Sequence, residues 1–296
     1  MANLKEVRAR IKSVQTTQQI TKAMKLVSAS KLKRATDRIT QMRPYADKLY
    51  TILGNILVSV EGEDMSLNFN QERPVKKVAL VVITASKGLC GGFNSNILKK
   101  AKSLAFGEYN EYRLQGNLTI FCIGKKSFDF FKNLKVDINT DYLELLNQLN
   151  FDKSATFTEM LMTKFLTNEY DRIDCVYSQF KNAATQIYTA ERFLPIAKLE
   201  TTGVTSTTNA DYIFDPSKTQ LIEELVPKII KTQFFRYLLD SNASEHGARM
   251  VAMDSATSNA NDLLNSLKIL YNRERQASIT KELGEIVGGA AALDNA

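Results

Sequence analysis

The chain has 296 residues, 44% of them hydrophobic, with a formal charge of +7; this suits one large or two ordinary folded domains and excludes disorder as the default state. Its three cysteines, Cys90, Cys122 and Cys175, are widely spaced and form no CxxC pair. Neither a disulfide framework nor a zinc site is therefore suggested, and a reducing compartment fits best. The opening MANLKEVRARIK lacks an apolar signal core, and no run approaches the roughly 18 to 20 apolar residues of a membrane span, so a soluble or peripheral protein is expected.

The first element in chain order is a long helix from Leu4 to Val60. Steps of three and four residues connect Leu4, Val7, Ile11 and Val14 and, after a gap, Leu32, Ala35, Ile39, Met42, Ala46, Leu49, Leu53, Ile56 and Val60, a single heptad seam. Pro44 lies inside the pattern and predicts a bend or a short break. In the gap, Gln18, Thr21, Lys25 and Ser28 occupy the expected apolar positions. Two readings stay open on periodicity: a surface for another protein, or drift of the stripe onto Ile20, Met24 and Val27. Residues 1–48 carry twelve Lys or Arg against three Asp or Glu. That local basicity suits nucleic acid, anionic lipid, an acidic protein surface or a solvated helix face, and the scarcity of interleaved aromatics argues against single-strand stacking.

A polar linker from Glu61 to Pro74 leads into a middle that alternates strands and helices. Val78–Ile83 and Leu118–Ile123 read as strands buried on both faces of a parallel sheet. Asn94–Ala105, Lys125–Lys132 and Thr156–Thr167 read as helices. Ile173–Phe180 and Gln186–Leu194, joined by Lys181-Asn182-Ala183, predict an antiparallel hairpin at one sheet edge. The order implies a doubly wound, Rossmann-like α/β domain over residues 75–198. Leu199–Asp215 reads as an irregular connector, and a second long helix follows Pro216, over residues 216–293. Its stripe Met253, Ala256, Ala260, Leu263, Leu267 and Leu270 is interrupted at Glu274 and Lys281. The fold class is thus α/β, an antiparallel two-stranded coiled coil of the N- and C-terminal helices (residues 1–60 and 216–293) joined to a central α/β domain.

Catalytic chemistry is sparse. His246 is the sole histidine, and its place in the middle of a rod predicts solvent exposure. Gly88-Leu89-Cys90-Gly91-Gly92 stands between a strand and a helix, the setting for phosphate on a helix N-terminus. It does not match GxGxxG, and Gly124-Lys125-Lys126-Ser127 lacks the earlier glycine of a P-loop. A turn needing close backbone approach is the favoured alternative. A nucleotide-binding enzyme with coiled-coil arms and a nucleic-acid binder remain as competing readings.

Three blocks carry a resemblance: RIKSVQTTQQITKAMKLVSASKLKRA (Arg10–Ala35), ITASKGLCGGFN (Ile83–Asn94), and SEHGARMVAMDSATSNANDLLNSLKILYNRERQASITKELGEIVGGAAAL (Ser244–Leu293). In order, spacing and length the chain resembles the gamma subunits of F-type ATP synthases. The resemblance implies a non-catalytic rotor shaft without cofactor or metal, coupling proton flow through the membrane ring to ATP synthesis or hydrolysis at the beta subunits. The implied partners are the alpha, beta and epsilon subunits and the c-ring, with no nucleic acid and with membrane association only through the c-ring. Lys22, Met24 and Lys25 would face the acidic lever segment of a beta subunit. Arg249, Arg275, Gln276, Thr280 and Glu282 would also contact beta from the shaft, and Lys87 and Cys90 from the foot loop. Val287–Leu293 would turn in an apolar sleeve. Two departures stand out, Ser86-Lys87 in place of the family's Asp-Arg pair and Gly247 where alanine is usual. The absence of a transit segment before Met1 suggests a bacterial enzyme on the cytoplasmic face of the inner membrane.

Overall fold

The structure, a computed structural model, describes residues 4–58, 69, 73–147, 149–196 and 218–294. The expected linker after Val60 and the connector Leu199–Asp215 lie outside these residues, apart from Phe69, Arg73 and Pro74. Among them are α1 (Leu4–Val58), β1 (Val78–Ile83), α2 (Phe93–Ser103), α3 (Asn110–Leu114), β2 (Leu118–Ile123), α4 (Lys125–Phe131), β3 (Asp137–Asn139), α5 (Phe151–Leu166), β4 (Arg172–Phe180), β5 (Gln186–Leu194) and α6 (Lys218–Asp294). A π-helical turn, Leu104–Glu108, links α2 to α3. Two compact units result, one of residues 1–28 and 250–296, the other of residues 29–249. Pro44 and Pro227 both sit inside continuous helices, so α1 runs through its proline without a break.

The second unit is built around a sheet of order β3-β2-β1-β4-β5. β1 lies parallel to β2 and β4, β2 lies parallel to β3, and β5 closes the edge antiparallel to β4, as the hairpin reading expects. β3 is only three residues long, too short to announce itself in the pattern. All six β1 side chains are buried, because alternate residues point to opposite faces and both faces are covered. On one face Ala79, Val81 and Ile83 pack with Phe157, Leu161 and Phe165 of α5 and with Ile230, Phe234 and Tyr237 of α6. On the other, Val78, Leu80 and Val82 meet Phe93, Ile97 and Ala101 of α2 and Phe131 of α4. Each large side chain so buried contributes about 1.5–3 kcal/mol.

Polar groups fix the chain's entry into this sheet. The Arg73 guanidinium donates to the Asp171 carboxylate at 2.6 Å and to the carbonyls of Phe165 and Tyr170 at 2.8 and 2.6 Å. The second carboxylate oxygen of Asp171 accepts from the backbone N–H of Lys76 and Lys77. Burial alone would raise the Asp171 carboxyl, but these donors outweigh it and hold it below its ordinary value.

Gly124 makes the tight turn from β2 into α4 at φ 92°. A Cβ there would stand 1.9 Å from the Thr84 carbonyl oxygen. Gly124→Ala is therefore expected to cost at least about 3 kcal/mol, from a steric clash added to left-handed strain, read as a lowered urea midpoint by circular dichroism.

Asp240 of α6 is almost fully buried, 3.9 Å from the Arg236 guanidinium. Burial pushes its carboxyl up to about 6, against the lowering effect of Arg236 and Arg43 and with a further rise from Glu191. A carboxyl raised on folding takes up protons more readily folded than unfolded, so its charged form costs stability above that value and the cost fades as the pH falls toward the unfolded value. Asp240→Asn is expected to exceed the parent by about 1–3 kcal/mol near pH 8, with the margin closing near pH 4, as measured by urea unfolding at both pH values.

Candidate functional site

In the unit of residues 1–28 and 250–296, α1 and α6 run antiparallel, and the polar gap in the α1 heptad is the contact itself. Gln18 Nε2 donates to Asn261 Oδ1, the Thr21 and Thr257 hydroxyls meet at 2.8 Å, and Lys25 Nζ lies 2.6 Å from Asp254 Oδ1. Toward the start of α1, Arg8 donates to the Tyr271 hydroxyl at 2.7 Å and lies over its ring. Thr21 and Ser28 are buried, whereas Ile20 and Val27 are 54% and 57% exposed. Drift of the stripe onto Ile20 and Val27 is thereby excluded, and Met24 is only half-buried. The reason is geometric: positions 18, 21, 25 and 28 continue the three-and-four spacing from Val14 to Leu32, and each polar group there finds a partner. One of the two hydroxyls donates across to the other, and the other donates within its own helix, where the Gln18 carbonyl is within reach of Thr21 and the Met253 carbonyl within reach of Thr257, so neither threonine is left unpaired.

The α6 seam also needs one correction. Met253, Ala260 and Leu267 are buried as expected, but Leu264 rather than Leu263 fills the position between the last two, and Leu263 is exposed. A step of four instead of three keeps the stripe facing α1.

The residues expected to meet a partner are thereby sorted. Lys22 is exposed; Lys25, expected to face the acidic lever segment of a beta subunit, is half-buried and paired with Asp254. Arg275, Gln276, Thr280 and Glu282 belong to a stretch in which every residue from Arg275 to Ala290 is exposed. That stretch carries the apolar side chains Ile279, Leu283, Ile286 and Val287 uncovered. Residues 276–294 span about 28 Å at 1.5 Å per residue. Leu26, like Ile20 and Val27, is an exposed apolar side chain of α1; its place outside the heptad positions was the one signal of this in the sequence.

The glycine loop belongs to the second unit and is tied to itself. Asn94 Oδ1 accepts from the Ala85 N–H at 2.9 Å, while its Nδ2 donates to Cys90 Sγ at 3.2 Å and to the Lys87 carbonyl at 3.4 Å. Leu89 and Gly91 adopt φ of 61° and 58°. The positive φ values mark a tight turn, but the close backbone approach expected of the loop is not found at Gly88, where a Cβ would meet nothing within 4 Å, nor at Gly92, where it would meet only the Asn96 side chain. Cys90, expected as a surface contact, is 2% exposed. Burial raises its thiol, partly offset by Arg249. Lys87 and Leu89 are what the loop shows to solvent, and Ser86 accepts from the Asn147 amide at 3.0 Å.

Arg249 is no free shaft cation. It pairs with Glu245 at 2.5 Å and donates to the Lys87 and Gly88 carbonyls at 3.5 and 3.3 Å, clamping the loop. His246 is buried, contrary to the expected exposure, and its imidazole is biased toward the neutral form by burial first, with Arg249 and Lys31 adding to the effect and Glu245 opposing it. At Gly247 an added Cβ would come within 3.2 Å of Ala183 in the β4–β5 turn. The departure from alanine thus admits that turn, at a cost of about 1 kcal/mol of helix propensity.

Arg249→Ala should free the loop and speed alkylation of Cys90 by iodoacetamide at least several-fold under native conditions, with Cys122 and Cys175 unchanged, as followed by peptide mass spectrometry. An unchanged Cys90 rate would mean that the clamp does not hold the loop.

A family model described as ATP synthase matches residues 3–293. The chain is 50% identical over 296 residues to an ATP synthase gamma chain of Cytophaga hutchinsonii, covering 100% of both. It is 44% identical over 297 residues to that of Chlorobium limicola, again covering 100% of both. Among solved structures, it is similar to a chain of the Tetrahymena thermophila mitochondrial ATP synthase central stalk and c-ring assembly. That match has 26% identity and a TM-score of 0.57, and covers 80% of this chain and 99% of the other. A chain of the Euglena gracilis mitochondrial ATP synthase shares the fold at 20% identity and a TM-score of 0.65, with coverage of 98% and 94%.

Proposed function

On the premise that this chain belongs to the ATP synthase gamma-chain family, a rotary shaft subunit, we propose that it couples proton flow through a c-ring to ATP synthesis or hydrolysis on beta subunits. Its partners in this reading are the alpha, beta and epsilon subunits and the c-ring, and its location is the cytoplasmic face of a bacterial inner membrane. Among the described residues no helix is long and apolar enough to cross a membrane, in keeping with attachment through other subunits. The catalytic work falls to beta, and this chain supplies changes in the relative stability of beta conformations.

The observation that carries the proposal is the set of uncovered apolar side chains on the unit formed by residues 1–28 and 250–296. Gln18, Thr21 and Lys25 of α1 join buried Met253, Ala260, Leu264 and Leu267 of α6 in pairing the two helices, while Ile20, Leu26 and Val27 and the apolar groups of residues 279–287 are left uncovered. Exposed apolar groups in such number mark a surface that other proteins cover. Met24, Lys22, Arg275, Gln276, Thr280 and Glu282 border these patches and are the proposed shaft contacts with beta. Lys25 and Arg249 act one step back, by holding α6 and the foot loop, and Lys87 with Leu89 forms the foot contact in place of the buried Cys90.

Co-expressed with alpha and beta subunits, the chain is expected to co-purify with them and to confer steady ATPase activity, while hydrolysing nothing alone. Failure to co-purify would remove the proposal. Met24→Lys, which places a new cation beside the apolar patch, is expected to preserve assembly but to lower proton pumping relative to ATP hydrolysis in membrane vesicles.

A further inference from the structure

A cleft of about 560 Å³ in the second unit is lined by Lys31, Arg34 and Arg38 of α1 and by Lys153 of α5. The spacing of the three α1 cations, three and then four residues, puts them on one helix face, where like charges repel. Among the described residues Lys31, Arg34 and Arg38 form no ion pair, and no carboxylate lines the cleft; Asp37 of α1 and Asp152 in the first turn of α5 are exposed nearby in sequence. The cleft also receives Asn150, the N-cap of α5, whose side chain accepts from the Asp152 N–H at 3.0 Å. The 16-residue α5 therefore adds the positive end of its dipole to the same place. His246 forms part of the wall, and its Nδ1 is buried without a hydrogen-bond partner.

We propose that this cleft binds a compact phosphate-type polyanion, pyrophosphate or the phosphate groups of a larger ester. Two guanidiniums offer paired donors in the fork geometry that suits phosphate oxygens, and the two lysines add point charges. The cleft's size falls in the small-molecule range, and Leu146 and Leu149 supply apolar wall for whatever the phosphates are attached to. Occupation would relieve the repulsion along α1 and tighten its hold on α5. The lining includes no glycine-loop residue and none of the proposed beta contacts, and the inference does not rest on the rotor reading.

The single histidine of the chain makes the test site-specific. Full-length protein carrying ¹³C-labelled histidine is titrated with inorganic phosphate, with pyrophosphate and with a hexaglutamate peptide, while calorimetry follows affinity. The expected result is saturable pyrophosphate binding, tighter than phosphate, with a concerted shift of the His246 resonance. Arg34→Gln with Arg38→Gln should weaken it at least about tenfold, since each change removes a charged hydrogen-bond donor, whereas Lys99→Gln on α2, which does not line the cleft, should leave it within about twofold. Absence of saturable binding, or equal binding by the double variant, overturns the proposal. So does tighter binding of the peptide, which would make the cleft a docking site for an acidic protein segment.

Discussion

The second unit depends on one constraint, that β1 is apolar at every position and must be covered on both faces. Ala79, Val81 and Ile83 cannot be buried without α5 and the early part of α6, nor Val78, Leu80 and Val82 without α2 and α4. This demand sets the crossover order of the strands, because parallel neighbours need helices as connections. It also sets the functional detail. The chain leaves β1 at its carboxyl end directly into the glycine loop, so Lys87 and Leu89 are displayed by a turn whose root cannot move. Arg249, further along α6 from the residues that cover the sheet, completes the hold on that loop.

In the unit of residues 1–28 and 250–296 the seam between α1 and α6 mixes polar pairs with the apolar stripe of Met253, Ala260, Leu264 and Leu267. Between Val14 and Leu32 the contact is made by an amide pair, a hydroxyl pair and an ion pair, while Ile20, Leu26 and Val27 face outward. Polar contacts of this kind add modest stability, since exposed ion pairs contribute about 0–1 kcal/mol. Their value lies in register. A hydroxyl or amide that misses its partner is penalised, whereas apolar side chains can slide.

The charge distribution divides in the same way. The basic N-terminal helix reads as a single feature in composition, yet its cations have different fates. Arg8 is engaged by Tyr271 and Lys25 by Asp254, whereas Lys31, Arg34 and Arg38 line a cleft with no counter-ion among the described residues. Composition cannot separate these cases, because what neutralises a lysine is a residue more than 200 positions away.

Much of the fold was legible in the order of residues because it rests on local periodicity. Continuous apolar runs marked β1 and β2 to the residue, the hairpin turn marked β4 and β5, and Pro216 marked the approach to α6. The heptad spacing located the pairing face of α1, although its polar members looked like interruptions. The three-residue β3, the burial of His246 and Cys90, the occupation of Lys25 and Arg249, and the substitution of Leu264 for Leu263 in the seam were beyond reach. Each depends on which distant segment comes alongside, and a period of three and four residues says where a face points but not what it meets. Gly247 shows the difference in one residue: in the sequence it is a weak helix former, and only the approach of Ala183 gives it a purpose.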